Sequence, residues 1–350
     1  MTLDLAPYLS AVEAELRDIV DAASDAHMDE CHAPISPLYD MIRYHMGWLD
    51  ADFYPLITDG GKRLRPVMCL LACEAVGGDW RSALPAAAAI ELIHNFSLIH
   101  DDIEDQSETR RHRRTVWALW GVAQGINTGD TVWILSRLAI HRLHQTGHDA
   151  ETVLRVMQRL DKACLALCTG QYLDLGFEQE ETVSLPAYLQ MIAGKTAALL
   201  SASLAVGAIL GGADESLVQC YASFGHKLGL TFQIVDDILG IWGDPAVTGK
   251  SAASDILTKK KTMPILYALG WEAERGYDDL ARLYAQPSLT DEHVPSVLAL
   301  LRRCSAHEYA QQQARAYYGQ TAQHLQSAGP DHPARDALQA LAESLVGRTF

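Results

Sequence analysis

No stretch of this chain alternates β-branched and polar residues, so nothing in it predicts a sheet. Excess positive charge is missing too. Against 44 Asp and Glu stand 28 Lys and Arg, a formal net charge of −16 over 350 residues, which excludes a general binder of nucleic acid or anionic membrane. Seven cysteines occur without zinc spacing. Cys69/Cys73 and Cys164/Cys168 are each four apart on helical stretches, where they read as small core side chains in a reducing cytoplasm. The opening MTLDLAPYLSAVEAELRD has neither a basic nor an apolar leader segment, so no signal peptide is expected. Residues 196–213 are uncharged but rich in Ala, Gly and Ser, which predicts a buried core helix and no membrane span. No nucleophilic triad, low-complexity tract or internal repeat is present.

What remains is helical. With 49% hydrophobic residues the chain can bury a large core. Helical periodicity predicts helices at 8–27, about 37–50, from Pro66 to the Gly77-Gly78 stop, and at about 83–106. More follow at roughly 115–145, 150–176, 186–211 and 214–242, one near Asp255, and two or three beyond 286. The fold expectation is all-α, a single-domain bundle of long helices around a central cavity.

Two places break the apolar pattern with acid. Ile90 to Asp105 reads IELIHNFSLIHDDIED, an apolar helix whose last turns carry Asp101, Asp102, Glu104 and Asp105. Asp101 and Asp105 share a face about 6 Å apart. A helix C-terminus is unfavourable for anions, so a hard divalent cation with oxygen ligands is expected there. Four arginines follow at once: Arg110, Arg111, Arg113 and Arg114. Acids beside guanidiniums point to a metal-chelated diphosphate. Asp236 and Asp237 repeat the acidic theme near the end of the 214–242 helix. Lys62, Arg63 and Arg65, Lys195, Lys250 and Lys259 to Lys261 supply further local positive charge.

In order, GGKRLRP (60–66), LIHNFSLIHDDIED (92–105) with Arg110-Arg111, GQYLDL (170–175), GKTAAL (194–199), FQIVDDILGIWGD (232–244), Gly249-Lys250 and KKKTMP (259–264) are similar to the trans-isoprenyl diphosphate synthases, the polyprenyl synthetase family. The resemblance runs from about residue 37 to the C-terminus, setting residues 1–35 apart as a helical extension and linker before a domain at 36–350. It implies a homodimer with a cavity between the Asp-bearing helices, and about three Mg²⁺ per active site. Asp101, Asp102, Asp105 and Asp236 would serve the metals. Arg110, Lys195 and Lys260 would serve the allylic diphosphate, with Lys250 and Gln233 close by; Gln171 and Asp174 would line the metal and allylic site, and Thr196 would bind substrate. Lys62, Arg65, His94 and Arg111 would hold isopentenyl diphosphate.

The implied reaction is head-to-tail condensation of isopentenyl diphosphate with an allylic diphosphate. Metal and cations neutralise the leaving diphosphate, and an apolar cavity keeps water from the allylic cation. Ser97 and Phe96, four and five residues before Asp101, match positions that influence product length. One small and one aromatic residue there fit a geranylgeranyl (C20) product, with C15 or C25 as alternatives. Gly240 stands where Asp is often found, and Arg114 where Pro is common, which puts the shape of the arginine loop in question. A class I terpene cyclase would need neither Lys62, Arg65 nor Arg111. A non-catalytic partner subunit would be expected to lose one Asp motif, and both are here.

Overall fold

The computed structural model describes residues 3–30, 35–56, 58, 60–180, 182–243, 253–326, 329 and 331–347. Among them the only strands form one short hairpin, and the rest of the regular structure is helical. Contacts group the chain into two compact units. Residues 1–160, 203–218 and 331–335 make the first; residues 161–202, 219–330 and 336–350 make the second.

In the first unit, α1 (Ala6–Glu30) and α3 (Leu64–Ala75) pack against α4 (Leu84–Glu104), and α2 (Ser36–Met46) packs on α1. Pro85 stands in the first turn of α4, where its missing N–H costs nothing. Ala86 to Ala89 are fully buried, so neighbouring backbones come close. After the short α5 (Val116–Trp120), α6 (Val122–His141) makes the most extensive packing with α4. Two glycines permit it. A Cβ at Gly129 would lie 2.2 Å from His100 Nε2, and one at Gly125 2.8 Å from Ile103 Cδ1. The last turns of α4, which carry the acids, are thereby fixed against bare backbone.

The expected 115–145 helix is broken at Gly121, whose φ of 87° ends α5 and opens α6. The helix expected at 8–27 is longer, spanning Ala6–Glu30. Tyr8, Val12, Leu16, Ile19 and Val20 are all buried, and α1 packs on α2, α3, α4 and α6.

The second unit contains α8 (Leu185–Ile192), most of α7 (Ala150–Gln179) and α10 (Glu215–Trp242), and the first turn of α9 (Ala198–Leu210). Between α8 and α9, residues Ala193–Ala197 form a π turn. Later helices, among them Met263–Arg275 and Val294–Arg303, close a core that includes Ile256, Ile265, Leu280 and Val297. The stretches Trp80–Glu104 and Leu185–Leu210 are long and apolar enough to cross a membrane, and 67% and 72% of their apolar windows are buried within the protein.

Candidate active site

The neighbouring acids of α4 point in different directions. Asp105 is exposed and Asp101 half-buried, while Asp102 is 2% exposed. Arg110 closes Asp102 off: its Nε donates to Asp102 Oδ1 at 2.8 Å, and its terminal nitrogen reaches Asp101 Oδ2 at 3.3 Å. Burial pushes the Asp102 carboxyl up to about 6, against the pull of Arg110. Asp101 and Asp105 therefore remain as the accessible pair, and Asp102 is set apart as a partner of the arginine.

Arg110 is held in the short hairpin. Strands β1 (Thr109–Arg110) and β2 (Arg113–Arg114) pair Arg110 with Arg113 and Thr109 with Arg114. Arg111 and His112 form the turn at φ 50° and 61°. Two non-glycine residues in the left-handed region cost on the order of 1 kcal/mol each, a strain typical of functional loops. The Arg114 departure leaves the ladder intact. Its residue sits in a pair without ladder hydrogen bonds, and the next bond runs from Thr115 N–H to Glu108 O at 2.9 Å.

The turn delivers Arg111 to the GGKR segment. Arg111 donates to Gly60 O, and a Cβ on Gly61 would strike its guanidinium. Arg65 donates to His94 Nε2 at 3.2 Å. Since guanidinium can only donate, His94 carries its proton on Nδ1. Burial, then Arg65, hold His94 well below the usual histidine range. Lys62 is exposed beside this group. His45, which no motif drew attention to, lines a basic pocket with Arg110, Arg111 and Arg113. Burial and Arg111 push it down to about 3. Neutral imidazoles thus sit among cations without adding to their repulsion.

One turn and more before Asp101, the Ser97 hydroxyl is turned back onto His94 O at 2.7 Å. The Phe96 ring packs against Trp133 of α6 and His100, at 5.2 and 5.7 Å between centroids.

Residues 47–301 match the family model for polyprenyl synthetase. The chain belongs to the polyprenyl synthetase family. It is 40% identical over 318 residues to a geranylgeranyl diphosphate synthase of Mycobacterium tuberculosis, with 89% of each chain covered. It is 38% identical over 312 residues to a (2E,6E)-farnesyl diphosphate synthase of the same organism, covering 88% of this chain and 85% of the other. Among solved structures, a polyprenyl synthetase from Streptomyces coelicolor superposes with a TM-score of 0.82 at 35% identity, covering 97% of this chain and 99% of that one.

The remaining motifs of this polyprenyl synthetase lie in the second unit. Gly170 of GQYLDL and Gly194 of GKTAAL touch; a Cβ on Gly170 would lie 2.1 Å from Lys195 N. The π turn that carries Lys195 and Thr196 is fitted against α7 there, and π turns recur at functional positions. Lys195 Nζ donates to Asp174 Oδ2 at 2.5 Å. Gln171, one turn before Asp174, is half-buried. Thr196 Oγ1 donates to Gln233 Oε1 at 2.8 Å, and Gln233 Nε2 to Asp237 Oδ1 at 3.2 Å.

Asp237 is 2% exposed and also accepts from Tyr188 Oη at 2.5 Å and Met263 N–H at 2.9 Å. Burial pushes it up to about 6, opposed by Lys260 and these donors. Asp236 is exposed. Burial works to lower Lys260, but Asp237, Asp255, Asp174 and Asp236 outweigh it and hold its ammonium above the usual lysine range. Lys250 lies outside the described residues. At Gly240, where the family often has Asp, a Cβ would lie 2.1 Å from Asp255 Oδ2. The space is already taken by another carboxylate.

Tyr188 had no signal in the sequence beyond its apolar helix. Glu91 and Asn95, both buried, had one: polar residues four apart inside an alanine-rich run.

Proposed function

We propose that this polyprenyl synthetase condenses isopentenyl diphosphate head-to-tail with allylic diphosphates and forms the C20 product. The observation that carries the reading is the sorting at the end of α4. An accessible Asp101 and Asp105 stand on one face, beside an arginine locked onto the inward Asp102.

Among the described residues no three His, Cys, Asp or Glu converge on a metal-sized position. The donor set still fits Mg²⁺, which is commonly held by one or two carboxylates and completed by water and substrate phosphates. Asp101 and Asp105 in the first unit and Asp236 in the second would be those carboxylates. Bound there, Mg²⁺ supplies Lewis-acid neutralisation of the leaving diphosphate. Arg110, Lys195 and Lys260 add fixed positive charge for the allylic diphosphate, with Thr196, Gln233, Gln171 and Lys250 as further contacts. Lys62, Arg65, His94 and Arg111 hold the isopentenyl partner. The allylic C–O bond breaks and the isopentenyl double bond attacks the carbon. A proton then leaves for the released pyrophosphate.

The assembly is a homodimer in this reading, acting in the cytoplasm. Support for the dimer comes from α6, which leaves Val122, Ile126, Ile134 and Leu138 between 43% and 53% exposed. Large apolar side chains gathered on one exposed helix are the mark of an interface.

Labelled isopentenyl diphosphate incubated with each allylic starter, followed by sizing of the dephosphorylated products, tests the function. C20 material that disappears with a chelator is expected, and no condensation with any starter overturns the reading. A C15 product would place the chain with its 38% identical relative named as a farnesyl synthase. For the length determinants, Ser97→Phe should shorten the product and Phe96→Ala, which removes the ring from Trp133, should lengthen it.

A further inference from the structure

The GGKR turn brings Lys62, Arg63 and Arg65 together, and Arg111 leans on its first glycine. Four cations in so small a space repel, and the contacts of Arg111 with Gly60 and of Arg65 with His94 bring no negative charge to offset them. Arg63 answers differently from its neighbours. It is 6% exposed, with φ 47° at the N-cap of α3. Its NH1 donates to Glu91 Oε1 of α4 at 2.7 Å. Its NH2 lies 3.4 Å from Glu13 Oε2 of α1 and 3.4 Å from Met46 O at the end of α2. Gly60 lies over the guanidinium, where a Cβ would come within 2.8 Å of NH2.

The partners are themselves held. Asn95 Nδ2 donates to Glu91 Oε1 at 2.9 Å, so its Oδ1 faces His45 Nε2–H at 3.2 Å. Glu13 Oε1 accepts from Trp48 Nε1. One guanidinium therefore ties α1, α2, α4 and the turn, and two carboxylates offset the charge gathered above them.

We infer that Arg63 is a positioning residue for the diphosphate-binding turn, and that Glu13 makes α1 part of the same device. A planar guanidinium with fixed donor directions serves this purpose, because a buried ion pair contributes geometry more reliably than stability. Arg63 does not bind the substrate itself: its donors are committed inward, while Lys62 is exposed and Arg65 is joined to His94. Glu13 and α1 lie before the matched region 47–301, so the family pattern does not include this half of the device. The inference rests on the proposed function for the identity of the ligand.

The test is calorimetric binding of isopentenyl diphosphate alone, together with KM for each substrate, in wild type, Arg63→Lys, Glu13→Gln and the double variant. Arg63→Lys keeps the charge but loses the fork, and should weaken isopentenyl diphosphate binding at least about tenfold. Its allylic KM should stay within about twofold. Glu13→Gln, at a half-exposed partner, should weaken the same binding by a few-fold with little change in melting temperature. The double variant should fall short of the product of the two, as coupled residues do. Equal changes in both substrates, or additive effects, overturn the inference, as does a wild type that binds no isopentenyl diphosphate. Should Arg63→Lys fail to fold, the Glu13→Gln result decides alone. A wild type that binds isopentenyl diphosphate but forms no prenyl product defeats the proposed function instead, and the binding ratios still decide the role of Arg63.

Discussion

Asp101-Asp102 on α4 and Asp236-Asp237 on α10 are both adjacent aspartates in the last turns of long apolar helices. In each pair the first carboxylate reaches solvent and the second is 2% exposed, pushed up to about 6 by burial. The inner members are held by different means. Asp102 relies on one guanidinium, whose second nitrogen also touches the outer Asp101. Asp237 is bound by a tyrosine hydroxyl, a backbone N–H and a glutamine amide, with Lys260 nearby. Under the proposed function a DD pair is thus one ligand and one anchor. In the first unit anchor and ligand share a cation, so they are coupled; in the second the anchor belongs to the core network.

The largest effect should come from the outer residues. Asp101→Ala or Asp236→Ala should reduce turnover by about three orders of magnitude, roughly 4 kcal/mol of lost transition-state stabilisation. Circular dichroism should remain helical; near-normal turnover in either would remove the division into ligand and anchor. Next, Asp237→Ala leaves Tyr188 and the Met263 N–H without their acceptor and removes the carboxylate that acts most strongly on Lys260. A loss of about 3 kcal/mol in urea denaturation is expected. The arginines separate the two roles further. Arg110→Ala should raise the allylic KM about tenfold and also lower stability, since it abandons buried Asp102. Arg111→Ala should raise the isopentenyl KM by a similar factor at unchanged stability. Identical kinetic defects would mean the two form one undivided patch.

The smallest effect is in pH. Asp102 and Asp237 titrate near 6 in the folded chain and near 3.8 when unfolded. Between those values the native state holds the extra protons, so stability should be full below about pH 4 and fall as pH rises toward 6. Both groups should contribute to that decline in metal-free protein. Urea titrations at several pH values should show a shallower decline in Asp102→Asn, and a flat wild-type profile would contradict the burial of both.

Much of this was legible in the sequence because it depends on local pattern. The 3.6-residue period of apolar side chains gives the helices, and acids in an apolar helix announce themselves. The hairpin at 109–114 escaped, because Arg111-His112 is not a turn sequence by composition: its left-handed backbone is imposed by contacts of Arg110 with Asp102 and Arg111 with Gly60. Nor could the sequence distinguish Asp102 from Asp101. Which of two adjacent carboxylates faces inward depends on where Arg110, eight residues on, comes to rest. The role of Arg63 was hidden for the same reason, since Glu13 is fifty residues away and Glu91 twenty-eight.

The burial of α1 bears on how this protein can be cut. A chain trimmed to the matched stretch would start at residue 47 and lose Tyr8, Val12, Leu16, Ile19 and Val20 from the first unit. At roughly 2 kcal/mol for each buried side chain, that removes on the order of 10 kcal/mol, as much as the whole margin by which an ordinary domain stays folded. The faces of α3, α4 and α6 beneath them would be laid open to water and to other molecules. Where a family pattern begins and where a structure can be severed are, in this protein, forty residues apart.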